Sequence, residues 1–342
     1  MKIDTLEKGK LVELNLVNQG LEIRETKSGK EYVKGNFSDS SGDIVGNMWY
    51  VPRNYEQVKD SPLVSVKAVV DEFNGLQLNI KGIRCLKAEN LSSDELRALL
   101  YIEPGYKEDK TKAEINALIN SINDSKFKQL TINLFDKWFY KHPQEPAARS
   151  HHHNGLYGML VHILQTASIA KSILESVKDT LSDDIYYNKV YDLVIAGSLL
   201  HDIGKFLEYH RNKLGFYVDY SLEGNLLGHL VLGQDIIVKE MQALDFSKED
   251  ILMMRHIIAS HHQKLEYGAI KTPATLAATI ISIADDASAK TQPMAVFIKQ
   301  SQDGETNTAK SPVNSFQFND RGFGEEEEIN NLEDIDSNDV FF

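Results

Sequence analysis

A histidine followed directly by an aspartate, His201-Asp202, constrains this chain more than any other feature of its sequence. The pair closes an apolar run from Val194 to Leu200 that predicts a helix, and Gly204 just beyond it is expected to stop that helix. Burying a carboxylate beside an imidazole at an apolar helix end is costly unless a cation or a base satisfies it. The pair therefore favours a metal site.

Further histidines and aspartates lie in helix-period segments of their own. His162 lies among apolar residues, where a lone histidine is usually a hydrogen-bonded core residue, and His229 follows two glycines that suggest a close backbone approach. His261-His262 end a helix predicted to begin near Ser247. The predicted metal ligands are His162, His201, Asp202, His229, His261, His262 and Asp285. Which of the two tandem histidines is the inner ligand stays open.

The types of these side chains indicate the chemistry. Imidazoles and carboxylates without thiolates suit Mn, Fe, Co, Ni or Zn, and Cys85 is the only cysteine. Two such ions about 3.5–4 Å apart share a bridging carboxylate and a hydroxide, and they clamp an in-line displacement at phosphorus. Asp202 is predicted to be the bridge. Lys205 is predicted to neutralise a phosphate oxygen, with a cation at the helix C-terminus as the alternative reading.

Residues 9 to 87 alternate as short strands, with a hairpin signal at Asn74-Gly75. Five strands with a connection between the third and the fourth predict an oligonucleotide/oligosaccharide-binding (OB) barrel. Such barrels bind single strands by stacking bases on aromatic rings along a basic groove. The predicted nucleic-acid-binding residues of the barrel are Tyr32, Lys34, Phe37, Trp49 and Lys81. The alternative is that most of the aromatics belong to the barrel core, because strand faces alternate.

Two longer segments carry a resemblance to a known family. The His201-Asp202 core with its companion ligands resembles the HD superfamily of metal-dependent phosphohydrolases. The segment Leu-Glu-Gly-Asn-Leu-Leu-Gly-His that ends at His229, and the segment Ser260 to Gly268, look like those of YhaM-type 3′-5′ exoribonucleases. The similarity covers about residues 9 to 290.

This resemblance implies a manganese-favouring exonuclease that takes nucleotides from the 3′ end of single-stranded RNA, or DNA, and releases 5′-mononucleotides. The resemblance implies that the metal ligands of the family correspond to His162, His201, Asp202, His229, Asp285 and one of His261 and His262. His151 and His152 match a histidine-rich approach to the first ligand helix and are expected to contact the substrate.

The predicted fold is multidomain: an all-β OB-like barrel, an all-α HD domain and a disordered acidic tail. The expected divisions are 1–90 for the barrel, 91–150 for a helical linker region, 151–295 for the HD domain and 296–342 for the tail. The net charge of −13 is concentrated at the end, where residues 320–342 hold nine acidic residues and only Arg321 as a base. Such an acidic tail, closing on Phe341-Phe342, resembles the C-terminal tips of single-strand DNA-binding proteins that dock on partner enzymes.

Other classes of protein fit less well. The N-terminus lacks the apolar core of a signal peptide, and no run is long enough for a membrane span, so the sequence predicts a cytoplasmic protein. The protein is also expected to be a homo-oligomer. The first alternative function is an HD-type phosphohydrolase of nucleotides or a cyclic-nucleotide phosphodiesterase, which would not need a strand-binding barrel. The second is a single-strand-binding accessory protein with an inactive metal site, which the complete ligand set disfavours.

Overall fold

Alternating apolar residues near the N-terminus fold into a closed five-stranded barrel in the computed structural model, which describes residues 1–73, 75–148, 153–211, 217–300, 306–307 and 317–318. The strands of the barrel are β1 (Leu11–Glu25), β2 (Glu31–Asp39), β3 (Gly42–Met48), β4 (Leu63–Glu72) and β5 (Leu76–Cys85). Their order around the barrel is β1-β2-β3-β5-β4, and the first half of β1 pairs with β4 to close it. A short helix, α1 (Tyr55–Lys59), connects β3 to β4. This topology confirms the predicted OB-like barrel.

Strand β1 serves two neighbours because it bends near its middle. Its first half pairs with β4 and its second half with β2, and the register shifts between Asn18 and Gly20. Gly20 has φ +142°, which side chains rarely tolerate. The Asn18 amide donates hydrogen bonds to the carbonyls of Val58 and Ser61, which ties the bend to the connection after α1.

The prediction that Phe37 binds nucleic acid is wrong. Its side chain has no exposed surface and lies in the barrel core. The ring packs over Gly35 of the same strand and Gly46 of β3, where a Cβ atom would come within 2.7 Å and 2.8 Å of ring carbons. Phe37 alternates with the outward-facing positions of β2, so the period of the strand alone directs it inward.

The remaining described part of the chain is mostly helical. Its helices are α2 (Ser93–Leu99), α3 (Glu108–Ser121), α4 (Ser125–Leu134), α5 (Gly158–Ser176), α6 (Asp184–Leu200), α7 (Lys205–Glu208), α8 (Leu222–Ala243), α9 (Lys248–Ser260) and α10 (Leu276–Gln300). A π-helical turn, Phe135–Phe139, follows α4, and a small hairpin of β6 (Tyr209–Arg211) and β7 (Tyr217–Tyr220) lies between α7 and α8. None of the described helices combines the length and the apolar composition that a membrane crossing requires.

Helix α2 packs on the barrel, where Leu99 is buried with Val17 and Leu63. Helices α3 and α4 instead share one continuous core with the later helices, through residues such as Ile115 and Leu130. The first described helix after the barrel is therefore part of the barrel surface.

The chain divides into two units, residues 1–289 and 290–342. In the second unit the structure describes the end of α10, which contains Pro293, and a pairing of β8 (Thr306–Asn307) with β9 (Gln317–Phe318). The predicted acidic tail and its docking tip at 320–342 lie outside the described residues.

A buried carboxylate fixes the turn between α3 and α4. Asp192 of α6 is 4% exposed, and its oxygens accept hydrogen bonds from the backbone amides of Asn123 and Asp124 at 2.7 Å and 2.8 Å. The side-chain amide of Asn123 adds a third bond at 3.2 Å. Hydrogen bonds to a charged acceptor are stronger than neutral ones.

We expect Asp192→Ala to lower the free energy of unfolding by about 2–4 kcal/mol, because it leaves buried amides without an acceptor. Asp192→Asn should cost less, since one oxygen remains. Urea unfolding followed by circular dichroism measures both. The control is Asn188→Ala on the exposed side of the same helix. Equal stabilities of Asp192→Ala and Asn188→Ala would show that this bond network contributes little.

Candidate metal centre

The seven predicted ligands come from five helices and meet in one buried cluster. His162 is in α5, His229 in α8 and Asp285 in α10, while the pairs His201-Asp202 and His261-His262 directly follow α6 and α9. Asp202 is central to the cluster, and its side chain is almost fully buried. The structure thus brings every predicted ligand to one place.

Four side-chain atoms form the first donor group, made of His162, His201, Asp202 and Asp285. His162 Nε2 lies 3.2 Å from His201 Nε2, 3.3 Å from Asp202 Oδ2 and 3.1 Å from Asp285 Oδ1. His201 Nε2 lies 3.4 Å from Asp202 Oδ2 and 3.6 Å from Asp285 Oδ1. Ligand atoms that share one ion at about 2.1 Å are roughly 3.0–3.5 Å apart, so this spacing fits a metal ion.

The second donor group contains His229, His261, His262 and the other oxygen of Asp202. His229 Nε2 lies 3.3 Å from His262 Nε2 and 3.8 Å from Asp202 Oδ1, and His261 Nε2 lies 3.6 Å from the same oxygen. Both tandem histidines therefore direct Nε2 into this group. Asp202 faces the first group with Oδ2 and the second with Oδ1, as a bridging carboxylate would.

Two buried atoms of the second group support a metal independently of the spacing. Asp202 Oδ1 and His261 Nε2 have no hydrogen-bond partner within the described residues. Leaving a buried carboxylate oxygen without a partner costs free energy that a bound cation would offset. The donor set of the two groups thus fits divalent ions held by nitrogen and oxygen.

All five imidazoles use Nδ1 for a second contact. Nδ1 of His201 and of His261 faces a backbone carbonyl three residues earlier, at Ser198 and Ile258, and Nδ1 of His262 faces the carbonyl of Tyr267. A carbonyl only accepts, so Nδ1 carries the hydrogen in these three rings and Nε2 is directed at the cluster.

Glu208 performs this role for His229 and was missed from the sequence. Its Oε1 accepts hydrogen bonds from the Nδ1 and the backbone amide of His229 at 2.9 Å and 3.0 Å. Glu208 ends the short helix α7, and Gly228 beside His229 adopts φ +70°. The only feature of the sequence that could have drawn attention to Glu208 is its place one turn after Lys205, and no helical or strand period relates Glu208 to His229.

The electrostatics of the cluster follow from burial and close opposite charges. Burial opposes ionisation of Asp202, but the charges of Lys205 and His201 hold the pKa of its carboxyl well below the usual range. Burial also disfavours protonation of His201, yet Asp202 and Asp285 raise its pKa to about 10. Burial and the neighbouring imidazoles lower the pKa of His262 to about 3, which keeps that ring neutral and able to bind a metal.

Lys205 is the first residue of the four-residue helix α7. Its ammonium group is 2.7 Å from Asp202 Oδ2.

Gly204 was expected to stop the preceding helix, but its φ of −63° is not the left-handed conformation by which a glycine usually ends a helix. It lets α7 approach α8, because a Cβ atom at Gly204 would lie 1.9 Å from the carbonyl oxygen of His229.

The cluster opens into a cavity of about 320 Å³. Lys205, Tyr209 and Tyr267 line it together with Asp202, Asp285 and the histidines of the second donor group. The predicted substrate contacts His151 and His152 lie outside the described residues.

A family model matches the part of the chain that contains this cluster. The family model described as HD domain matches residues 159–290, which contain every residue of both donor groups. This confirms the predicted HD domain and supports a metal-dependent hydrolase of the HD superfamily. Among solved structures, the chain is similar to the second OB-fold domain of replication protein A from Methanococcus maripaludis, with 19% identity, a TM-score of 0.21, and coverage of 25% of this chain and 94% of that domain.

We expect Mn²⁺ to raise the melting temperature of the protein and excess EDTA to reverse the shift. An ion at 100 times its Kd stabilises the folded state by about 2.7 kcal/mol. Asp202→Asn should remove most of the shift because Asp202 belongs to both donor groups. The control is Asp235→Asn on the exposed side of α8, which should keep it. A shift in Asp202→Asn as large as in the parent would place the ion elsewhere.

Proposed function

We propose that this protein is a metal-dependent 3′-5′ exonuclease that hydrolyses single-stranded RNA, or DNA, to 5′-mononucleotides. The observation that carries the proposal is a carboxylate shared by two donor groups in an HD domain that follows an OB-like barrel on the same chain. The first feature supports hydrolysis at phosphorus, and the second supports a polymeric, single-stranded substrate.

The outer face of β2, β3 and β5 supports strand binding. Tyr32 and Trp49 lie side by side with ring centroids 5.2 Å apart, and Trp49 is 48% exposed. Lys34 and Lys81 are at outward positions of β2 and β5, where burial alternates with the core residues. Paired aromatic rings beside lysines provide stacking surfaces for bases and cations for phosphates.

Polar side chains continue this face between the lysines. Asn47 of β3 donates a hydrogen bond to Gln77 at 3.0 Å, and Asn79 accepts one from Lys81 at 2.9 Å. The basic side chains Arg24 and Arg84, in contrast, are paired with Glu22 and Glu13 at 2.7 Å and 3.2 Å. We therefore assign strand binding to Tyr32, Lys34, Trp49 and Lys81 rather than to the arginines.

The proposed chemistry divides between the bound ions and the protein. The two donor groups would hold divalent ions, with Mn²⁺ favoured, and such ions would supply Lewis acidity and an activated water for in-line attack on a phosphodiester. Asp202 holds the two groups together, and Lys205 keeps the Asp202 carboxylate ionised and oriented through its 2.7 Å contact. Lys205 also lines the cavity, where its charge would favour an anionic substrate.

A labelled-strand assay tests the activity. With Mn²⁺, a 5′-labelled single strand should shorten one nucleotide at a time, and a 3′-labelled strand should release its label at once as a mononucleotide. Asp202→Asn should reduce the rate by more than about 100-fold, because even partners of metal ligands contribute about 10–100-fold. Asp192→Asn, a buried carboxylate outside the cluster, is the control.

Other outcomes of this assay would favour other functions. Turnover of free nucleotides or cyclic nucleotides with intact strands would indicate a small-molecule phosphohydrolase. Binding of strands without turnover would indicate an accessory protein with an inactive centre. Internal cleavage would contradict the exonuclease.

The barrel face is tested separately by binding in EDTA, where the strand stays intact. Stacking of one base on an aromatic ring contributes about 1–3 kcal/mol, so Trp49→Ala should raise the Kd for a labelled single strand about tenfold or more. Fluorescence anisotropy measures this. Tyr186→Ala, which removes an exposed aromatic ring from α6, should leave the Kd unchanged. Equal affinities of the two variants would remove Trp49 from the binding face.

A further inference from the structure

A buried hydroxyl lies behind the first donor group. Ser288 follows Asp285 by three residues in α10, so both side chains project from one face of the helix, and Ser288 has no exposed surface. Its Oγ lies 3.1 Å from Nδ1 of His162, 3.2 Å from Nε2 of His153 and 3.1 Å from Oε1 of Gln165. One hydroxyl thus joins three side chains from two other segments.

The hydrogen-bonding capacity of a hydroxyl sets the direction of these bonds. Ser288 has a single hydrogen, which it donates to Gln165, and it can accept two more hydrogen bonds. His162 Nδ1 must then donate to Ser288, because the only hydrogen of the hydroxyl is already used. His162 with its hydrogen on Nδ1 directs the lone pair of Nε2 toward Asp285, His201 and Asp202. The hydroxyl therefore selects the tautomer of His162 that can bind a metal.

Glu103 fixes the second imidazole in turn. His153 Nδ1 lies 2.9 Å from Glu103 Oε1, and both side chains are almost fully buried. The backbone amide of Gly155 donates to the other oxygen of Glu103 at 3.3 Å. Packing alone does not explain a buried pair of a carboxylate and an imidazole, because two apolar side chains of similar volume would fill the same space without the cost of burying a charge.

The backbone holds both residues in place. Glu103 and Leu156 are joined by a backbone hydrogen bond of 3.0 Å, and Tyr101 accepts another from Leu156 at 2.8 Å. His153 adopts φ +49°, an uncommon conformation for a residue with a side chain, and its carbonyl accepts a bond from Ala147 at 2.8 Å. A backbone held in such a conformation is typical of a residue whose side chain has a defined task.

We propose that Ser288, His153 and Glu103 are positioning residues that hold His162 in the orientation and tautomer needed to bind a metal ion. This inference rests on the proposed metal centre. It makes the affinity of the first donor group depend on Glu103, a residue well before the HD domain match. Partners of this kind contribute about 10–100-fold to metal affinity.

The test is Mn²⁺ binding by the full-length chain, measured by calorimetry on the parent and on matched variants. Ser288→Ala and Glu103→Gln should weaken binding at the first donor group about 10–100-fold and leave the second group near the parent value. Ser288→Thr, which keeps a hydroxyl, should restore affinity. Asp192→Asn is the control for the loss of a buried carboxylate.

Ser282→Ala provides the control for the hydroxyl. Ser282 is equally buried in the same helix, but its hydroxyl bonds only to the carbonyl of Thr279 among the described residues. We expect Ser282→Ala to bind Mn²⁺ like the parent. Melting each variant in EDTA reports the stability of the metal-free fold, so that a loss of affinity is separated from a loss of structure.

The outcomes distinguish this inference from the function on which it rests. Parent-like Mn²⁺ affinity in both Ser288→Ala and Glu103→Gln would overturn the positioning role and leave the metal centre intact. Equal weakening by Ser282→Ala would also overturn it, because the effect would then come from the helix and not from the hydroxyl. A parent protein that binds no Mn²⁺ would overturn the metal centre and the inference together. If Ser288→Ala does not fold, the isosteric Glu103→Gln decides the question.

Discussion

The helical part of this protein is organised around one buried carboxylate. Asp202 is 1% exposed, and burial of a charged group in an apolar core is tolerated only when opposite charges or hydrogen bonds compensate it. Lys205 compensates one oxygen at 2.7 Å, whereas the other oxygen faces His229 and His261 at distances too long for hydrogen bonds. Five helices thus direct their polar groups toward a position that the described protein atoms do not satisfy. A cation is the simplest way to complete it.

Close backbone packing makes this convergence possible. Gly204 lets α7 lie against the carbonyl of His229, and Gly224 lets α8 lie against the carbonyl of Glu208, where a Cβ atom would be 2.1 Å away. Helix α8 also turns at Gly228, directly before His229. These glycines bring His229 and Glu208 to the same side of the cluster. A side chain at Gly204 or Gly224 would clash with the backbone of His229 or Glu208, although neither glycine is itself a predicted metal ligand.

The sequence predicted the ligands and the barrel because both leave local signals. An acid or histidine in an apolar helix-period segment is conspicuous, and so is the strand alternation before it. What each polar group touches across the fold is not a local property. Glu208 reaches His229 over 21 residues and Ser288 reaches His162 over 126, and no periodicity relates such positions. Phe37 differs from these two residues, because the alternation of β2 already directs its side chain inward, and Gly35 of the same strand and Gly46 of the adjacent strand leave the space that its ring fills.

The five imidazoles of the centre differ in how their second nitrogen is held, and this difference has a consequence for robustness. His201 and His261 bond to carbonyls of their own preceding helical turn, so their orientation is fixed wherever the helix forms. His229 and His162 depend instead on the distant side chains of Glu208 and Ser288. Each donor group therefore combines at least one ligand set by local backbone with one set by tertiary packing. The backbone-held ligands can exist as soon as their helices form, but the complete groups require the packed fold, which ties metal affinity to tertiary structure.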